Sequence, residues 1–283
     1  MKKITLYIVA FLLISSTSFA GIFITAKDFA KEMKSNKSLV IIDANSADNY
    51  AKAHINGAIS IPHKSLYKDG DIEGLIRSPE NLAKFLGSKG VSNTAPIVVY
   101  DDGSNKYSTR VYWVLKYLGA ENVRILHKDM NQFKAARIML SRTPVKAKAT
   151  TFTANVNPKI FAKIEDVKAA KANTVIVDAR SDAEYKGVDE KKESKGHIKG
   201  AVNLEYKEVL KANGDFKSKE EIQEIASAKG ITADKEIIVY CIMGVRAAVV
   251  YVAIADILEY PNVRLYDGGY AEYSADTSNP IEK

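Results

Sequence analysis

One cysteine occurs in the 283 residues, Cys241, within the run IVYCIMGVRAA (238–248). A β-branched stretch precedes it; Gly244, Arg246 and an alanine-rich segment follow. A thiol becomes a nucleophile when backbone N–H groups, a helix N-terminus or a nearby cation favour the thiolate. If a strand ends at Tyr240 and a helix runs from Ala247, residues 241–246 form a short loop at a strand's carboxyl end. Parallel α/β sheets gather their ligand sites there. Gly244 permits the backbone angles of a curled loop, whose inward N–H groups form an anion nest. Arg246 adds a full charge. The spacing predicts a nucleophilic Cys241 of depressed pKa, able to carry an anionic persulfide. Ile242, Met243, Gly244, Val245 and Arg246 form the predicted binding loop. Arg180 is a second cation for an anionic donor, unless Asp178 holds it in a structural pair; Arg246 could likewise brace the loop. The opposing reading makes Cys241 a buried small hydrophobe, as Ile242 and Met243 suggest. The reactive reading requires a thiol that solvent can reach.

The elements that must position this loop are written twice. VIIDANSADNY (40–50) resembles VIVDARSDAEY (175–185), and HINGAISIP (54–62) resembles HIKGAVNLE (197–205). PIVVYDDGS (96–104) resembles EIIVYCIMG (236–244), and ENVRIL (121–126) resembles PNVRLY (261–266). Matched order at nearly constant offsets indicates an internal duplication. Leu39–Asp43, Ile97–Tyr100, Val175–Asp178 and Glu236–Tyr240 read as buried parallel strands. Helices lie between them. Ser78 and Pro79 start one that Gly87 stops; the Ser218/Glu221 capping box starts another that Gly230 stops. The expected fold class is α/β, two domains each with a parallel sheet flanked by helices on both faces. Residues 21–143 and 159–283 are the domains, and the threonine-rich, proline-bounded 144–158 the linker. The charged segment KGVDEKKESKG (186–196) is an insertion of the second half.

The first twenty residues carry Lys2 and Lys3, an apolar core and Ser18-Phe19-Ala20. They read as a signal peptide cleaved after Ala20, which predicts a periplasmic protein. No later segment is apolar enough to span a membrane. Loss of the two lysines lowers the formal charge from +7 to +5. Lysines scattered among acids exclude a nucleic-acid patch, and a single cysteine makes no internal disulfide. His54, His63, His127 and His197 are too dispersed for a metal site, so no metal or other cofactor is expected.

VIVDARSDAEY, GHIKGAVNL, IVYCIMGVRAA and NVRLYDGGYAEY, with their counterparts in the first half, resemble a tandem-domain rhodanese of the thiosulfate/3-mercaptopyruvate sulfurtransferase family. The resemblance covers essentially all of 21–283. It implies a rhodanese fold in each half, an inactive first domain and a catalytic Cys241 in the second. It further implies a ping-pong transfer of sulfane sulfur from a small donor such as thiosulfate to a thiophilic acceptor such as cyanide or a thiol. Asp101 stands at the Cys241 position of the repeat and cannot carry sulfur; it is read as structural. His197 is read as making a local turn hydrogen bond, and Asp267-Gly268-Gly269 as an architectural turn. Met243 stands where thiosulfate-using members often have a cation, and Glu184 where some have an arginine. An apolar loop of this kind is expected to admit polysulfide-like or bulkier thiosulfonate donors. The alternatives are a periplasmic persulfide carrier with a dedicated partner, a scaffold with a vestigial cysteine, and a cysteine phosphatase. The last needs five residues between cysteine and arginine, and here there are four. A monomer is favoured.

Overall fold

The computed structural model of the chain describes residues 21–127, 129–189 and 194–283. The leader read at 1–20 and part of the 186–196 insertion lie outside the described residues. In the first half, α1 (Ala26–Ser35) and β1 (Val40–Asp43) lead to α2 (Ala47–Lys52), β2 (His54–Ile55) and β3 (Ile59–Ser60). Next come α3 (Pro79–Ser88), β4 (Ile97–Tyr100), α4 (Lys106–Tyr117), β5 (Val123–Ile125), α5 (Met130–Ala135) and β6 (Leu140–Ser141). The second half begins with β7 (Phe161–Ala162), α6 (Ile164–Lys168), β8 (Thr174–Asp178), α7 (Asp182–Tyr185), β9 (His197–Ile198) and β10 (Val202–Asn203). It ends with α8 (Lys219–Ala228), β11 (Glu236–Tyr240), α9 (Val245–Tyr251), β12 (Val263–Tyr266), α10 (Gly269–Ala275) and β13 (Ile281–Glu282).

Both main sheets are parallel, in the orders β3-β1-β4-β5 and β10-β8-β11-β12-β7. Their central strands are apolar on both faces because helices cover both. Equivalent polar residues lock the two halves alike. Tyr100 donates to Asp43 (2.5 Å) and accepts the Ile55 N–H (2.8 Å). Tyr240 donates to Asp178 (2.6 Å) and accepts the Ile198 N–H (3.2 Å). His197 stacks on Tyr185 and bonds its carbonyl (2.9 Å), as His54 does with Tyr50 (2.7 Å). His197 is thus a structural residue, but its bond reaches a carbonyl twelve positions away and not one within a local turn.

Among the described residues, three apolar clusters make the core. Two lie on the outer faces of the sheets, under α1 and α5 in one half and α6 and α10 in the other. The third is shared: α4 and α9 pack against each other, so the inner faces of both sheets bury one continuous core. Residues 144–157 contain no regular element, and a 3-10 turn starts at Pro158, yet the segment does not hang free. Thr150 donates to Gly87 (2.9 Å), Asn155 to Leu118 (2.9 Å) and Asn157 to Tyr117 (2.8 Å). Gly87 therefore does a different job from the one its position suggested. The helix runs on to Ser88, and a Cβ on Gly87 would lie 2.6 Å from the Thr150 carbonyl.

After Tyr251 the helix loosens into a π-helical turn, Val252–Ile257. This carries Asp256 towards Tyr112 and Lys116 of α4. Burial raises the Asp256 carboxyl to about 6, against the opposing pull of Lys116 and Tyr112. A carboxyl raised on folding contributes stability that is present below its unfolded pKa and lost as pH rises through the folded one. Asp256→Asn is accordingly expected to stabilise the protein by about 2 kcal/mol at pH 8 and to leave it unchanged at pH 3.5. Urea melts at the two pH values read this directly.

Candidate active site

β11 ends at Tyr240 and α9 begins at Val245, two residues before the position read from sequence. Gly244 makes the early start possible: it caps the helix at φ 72°, a left-handed conformation that costs glycine little. The carbonyls of the loop are drawn to α10, where Tyr270 N–H donates to Cys241 (2.7 Å) and Ala271 N–H to Ile242 (3.2 Å). Gly269, at φ 56°, lets α10 approach this closely; a Cβ there would lie 2.5 Å from the Cys241 carbonyl. With its carbonyls engaged on one side, the loop keeps its N–H groups for the other. From Met243 to Ala247 none of them finds an oxygen acceptor among the described residues.

The equivalent loop of the first half is built the same way and is full. Asp101 follows β4, and its carboxylate accepts the N–H groups of Gly103 (2.9 Å), Asn105 (3.2 Å), Tyr107 (3.0 Å) and Ser108 (3.1 Å). The Ser108 hydroxyl adds a fifth donor at 3.2 Å. A fixed anion thus fills the nest of the first half, from the position that Cys241 holds in the second. A cavity of about 280 Å³ opens at this filled loop, lined by Phe23, Asn105, His127, Asp215 and Phe216 among others.

Each domain also covers the other's loop with a hairpin. The strand pair Tyr67/Ile76 carries Gly74 onto Met243, and the pair Leu210/Phe216 carries Gly214 onto Gly103 and His127. The contact is tight. A Cβ on Gly74 would lie 2.4 Å from that of Met243. As a result Cys241 is only 1% exposed and belongs to the shared core. The expectation of a thiol open to solvent is not met. Its cover is nonetheless polar as well as apolar: Arg110, Arg246 and Tyr67 all lie within electrostatic reach of the sulfur.

The two predicted cations are both committed elsewhere. Arg180 is fully buried and bonds Asp178 through Nε (3.0 Å) and Nη2 (2.6 Å), Ser194 (3.1 Å) and the Gly196 carbonyl (2.8 Å), with its guanidinium over Tyr270. It reaches no donor, because the strand end where it sits turns it back into its own domain. Arg246 is brought to the loop but clasps Glu184 with both nitrogens (2.6 and 2.9 Å). Burial works against its charge, and Glu184, with Cys241 and Asp178, more than offsets this. Arg246 therefore braces the loop and is not free to receive phosphate, which removes the main support for the phosphatase reading. Glu184→Gln is expected to cost about 2 kcal/mol of stability and to slow sulfur transfer roughly tenfold by loosening the loop. Urea melts and steady-state rates check the two effects.

Sequence reading missed the residue that stands where a loop cation was expected. Arg110 of α4 crosses from the first domain, fully buried, over the rings of Trp113 and Tyr67. Its Nη2 donates to the Gly74 carbonyl (3.0 Å) and forms an ion pair with Asp267. Asp267 also accepts the Ile76 N–H (2.9 Å). The turn read as architectural is thus the anchor joining the domains across the site. No local pattern around Arg110 signals this, since its partners lie 36 and 157 positions away.

The sequence matches the family model of the rhodanese-like domain twice, over residues 25–136 and 163–276. It is 34% identical over 246 residues to the 3-mercaptopyruvate sulfurtransferase of Escherichia coli (strain K12), spanning 85% of this chain and 87% of that protein. A Synechococcus elongatus protein named as a candidate thiosulfate sulfurtransferase is 30% identical over 281 residues, 95% of this chain and 87% of that one. The crystal structure of SseA from Escherichia coli, described as a 3-mercaptopyruvate sulfotransferase of rhodanese fold, superposes with a TM-score of 0.79 at 32% identity. The match covers 88% of this chain and 99% of that one. The chain belongs to the rhodanese family and, within it, to the two-domain sulfurtransferases.

Proposed function

We propose that this rhodanese-family protein moves sulfane sulfur from a small anionic donor such as thiosulfate to a thiophilic acceptor such as cyanide or a thiol, through a persulfide on Cys241. One observation carries the reading: the Asp101 carboxylate fills the amide nest of the first half, and in the second half Cys241 stands at that position while the N–H groups of Met243 to Ala247 have no oxygen acceptor among the described residues. An anion belongs in such a nest, and Cys241 can supply one in two forms. As thiolate it attacks the outer sulfur of thiosulfate; the S–S bond breaks and its electron pair leaves on sulfite. As persulfide it keeps one negative charge on the terminal sulfur. Cyanide then takes that sulfur as thiocyanate and returns the thiolate. No proton has to be moved in either half, so no general base is required.

The tight cover by Gly74 and Met243 favours small donors, contrary to the expectation that an apolar loop admits bulky thiosulfonates. Entry requires the Tyr67–Ile76 hairpin to shift off the loop. Burial of Cys241 also supports the carrier reading, in which a sheltered persulfide waits for a protein partner. Multiple turnovers with cyanide distinguish the enzyme; sulfur that loads once and leaves only with a partner distinguishes the carrier. Export to the periplasm with cleavage after Ala20 belongs to the same proposal. It is supported by the charged, apolar and small-residue order of the leader. N-terminal sequencing of secreted material should begin at Gly21. The decisive test is intact mass after thiosulfate treatment: one added sulfur atom that cyanide removes supports the reading, and an unchanged mass with every sulfane donor overturns it.

A further inference from the structure

Arg110 uses one of its nitrogens and leaves the others idle. Nη2 serves Gly74 and Asp267, whereas Nε and Nη1 are buried with no hydrogen-bond partner. An unpaired buried donor costs about 1–3 kcal/mol, and more on a cation. Native interiors leave few such donors, and a catalytic role is one of the reasons for which they are kept. The idle edge faces the sulfur loop. A Cβ on Gly244 would lie 2.6 Å from Nη1 and 2.8 Å from Cζ, so the guanidinium packs directly on the loop backbone. On its other sides Trp113 and Tyr67 offer ring faces.

We propose that Arg110, contributed by the N-terminal domain, holds the negative sulfur formed at Cys241. Its Nε–H and Nη1–H groups donate to the terminal persulfide sulfur and, before that, to the anionic end of the incoming donor. The inference rests on the persulfide reading above and extends it. The domain without a nucleophile supplies the cation that Met243 does not, and the site is incomplete without it. The bonds made and broken are those already described; Arg110 changes only how well negative charge is held.

The groups facing the sulfur are few. From the first domain come Arg110, Tyr67 and, beside Arg110, His63; burial raises the Tyr67 hydroxyl to about 12 and lowers the His63 imidazole to about 4, so both are neutral at pH 7. From the second come the Arg246–Glu184 pair and Asp267. Arg110 is thus the cation that can follow the sulfur's charge.

The test uses the full chain with Arg110→Met, of similar length and no charge, and Arg110→Lys. Three quantities are read: far-UV circular dichroism, the pH profile of Cys241 alkylation by iodoacetamide, and the lifetime of the persulfide loaded from thiosulfate. Arg110→Met should slow alkylation at pH 7 about tenfold, move the profile roughly one unit to higher pH, and shorten the persulfide lifetime. Arg110→Lys should restore the profile in large part, because the charge remains, but not the lifetime, because the Nε–H is lost. A folded Arg110→Met protein with the parent profile and lifetime overturns the proposal. If Arg110→Met does not fold, Arg110→Lys decides, an unchanged lifetime counting against. Failure of the unmodified protein to load sulfur would overturn the persulfide reading itself; the alkylation profile would still report whether Arg110 stabilises the thiolate.

Discussion

Cys241→Ser is expected to abolish sulfur loading and to reduce thiosulfate:cyanide sulfur transfer by at least about a thousandfold, the scale seen when a nucleophile is removed. The fold should survive. Serine is close to cysteine in volume, and the loop is held by other contacts, from α10 to its carbonyls and from Glu184 to Arg246. The hydroxyl cannot replace the thiol, since it is not ionised near neutral pH and its oxygen does not form a persulfide. Intact mass before and after thiosulfate, with cyanide added last, measures the effect on one sample. Residual transfer within tenfold of the parent would show that sulfur passes without a covalent intermediate at this position.

The second large effect lies in the domain without the nucleophile. Asp101→Ala removes the acceptor of four N–H groups and one hydroxyl that meet in the filled nest. These donors are largely buried, and the side chain that satisfies them has no substitute nearby. A loss of about 3–5 kcal/mol is expected, a large part of the stability of an ordinary domain. Burial pushes the Asp101 carboxyl up while the amides pull it down. Asp101→Asn should therefore cost less, about 1–2 kcal/mol, because it gives up the desolvated charge and keeps one acceptor oxygen. Urea melts of both variants measure the difference. Because α4 begins in this nest and carries Arg110, the alanine variant should also transfer sulfur more slowly. A loss below about 1 kcal/mol would mean that water satisfies the nest as well as the carboxylate does.

The duplicated design explains why two loops of common origin have opposite uses. The first half has five residues between β4 and α4, and the second has four between β11 and α9. In the first, an aspartate bends into its own amides and the left-handed N-cap falls on Asn105, at φ 57°. In the second, Gly244 takes that conformation and the amides keep no internal anion. Each hairpin then closes over the loop of the opposite domain. What remains of the first site is used to hold the second together.

Much of this was written locally in the chain. Strand runs of four or five residues, Ser78, Ser218 and Glu221 as caps, and four repeated blocks sufficed for two α/β units and for Cys241 at a strand end. Such features depend on neighbours a few positions apart, and their spacing is visible in one dimension. Arg246 is read from sequence as a loop residue; it lies in the first turn of α9, and its task was not legible, since its partner Glu184 lies 62 positions away. For Arg180 the sequence leaves two tasks open, a cation for the donor or a structural pair with Asp178, and its surroundings decide for the pair. Arg110 was beyond reach altogether, and the burial of Cys241 was legible only as the opposing reading that Ile242 and Met243 suggest. Both come from packing one domain on the other, where contacts join residues up to 191 positions apart and leave no periodic trace. Sequence determined that a thiol would stand at a strand end, at the head of a short glycine-capped loop, because turn and cap chemistry is local. Tertiary structure decided that the loop is closed by the opposite domain and which cation reaches it, because long side chains are aimed by everything packed around them.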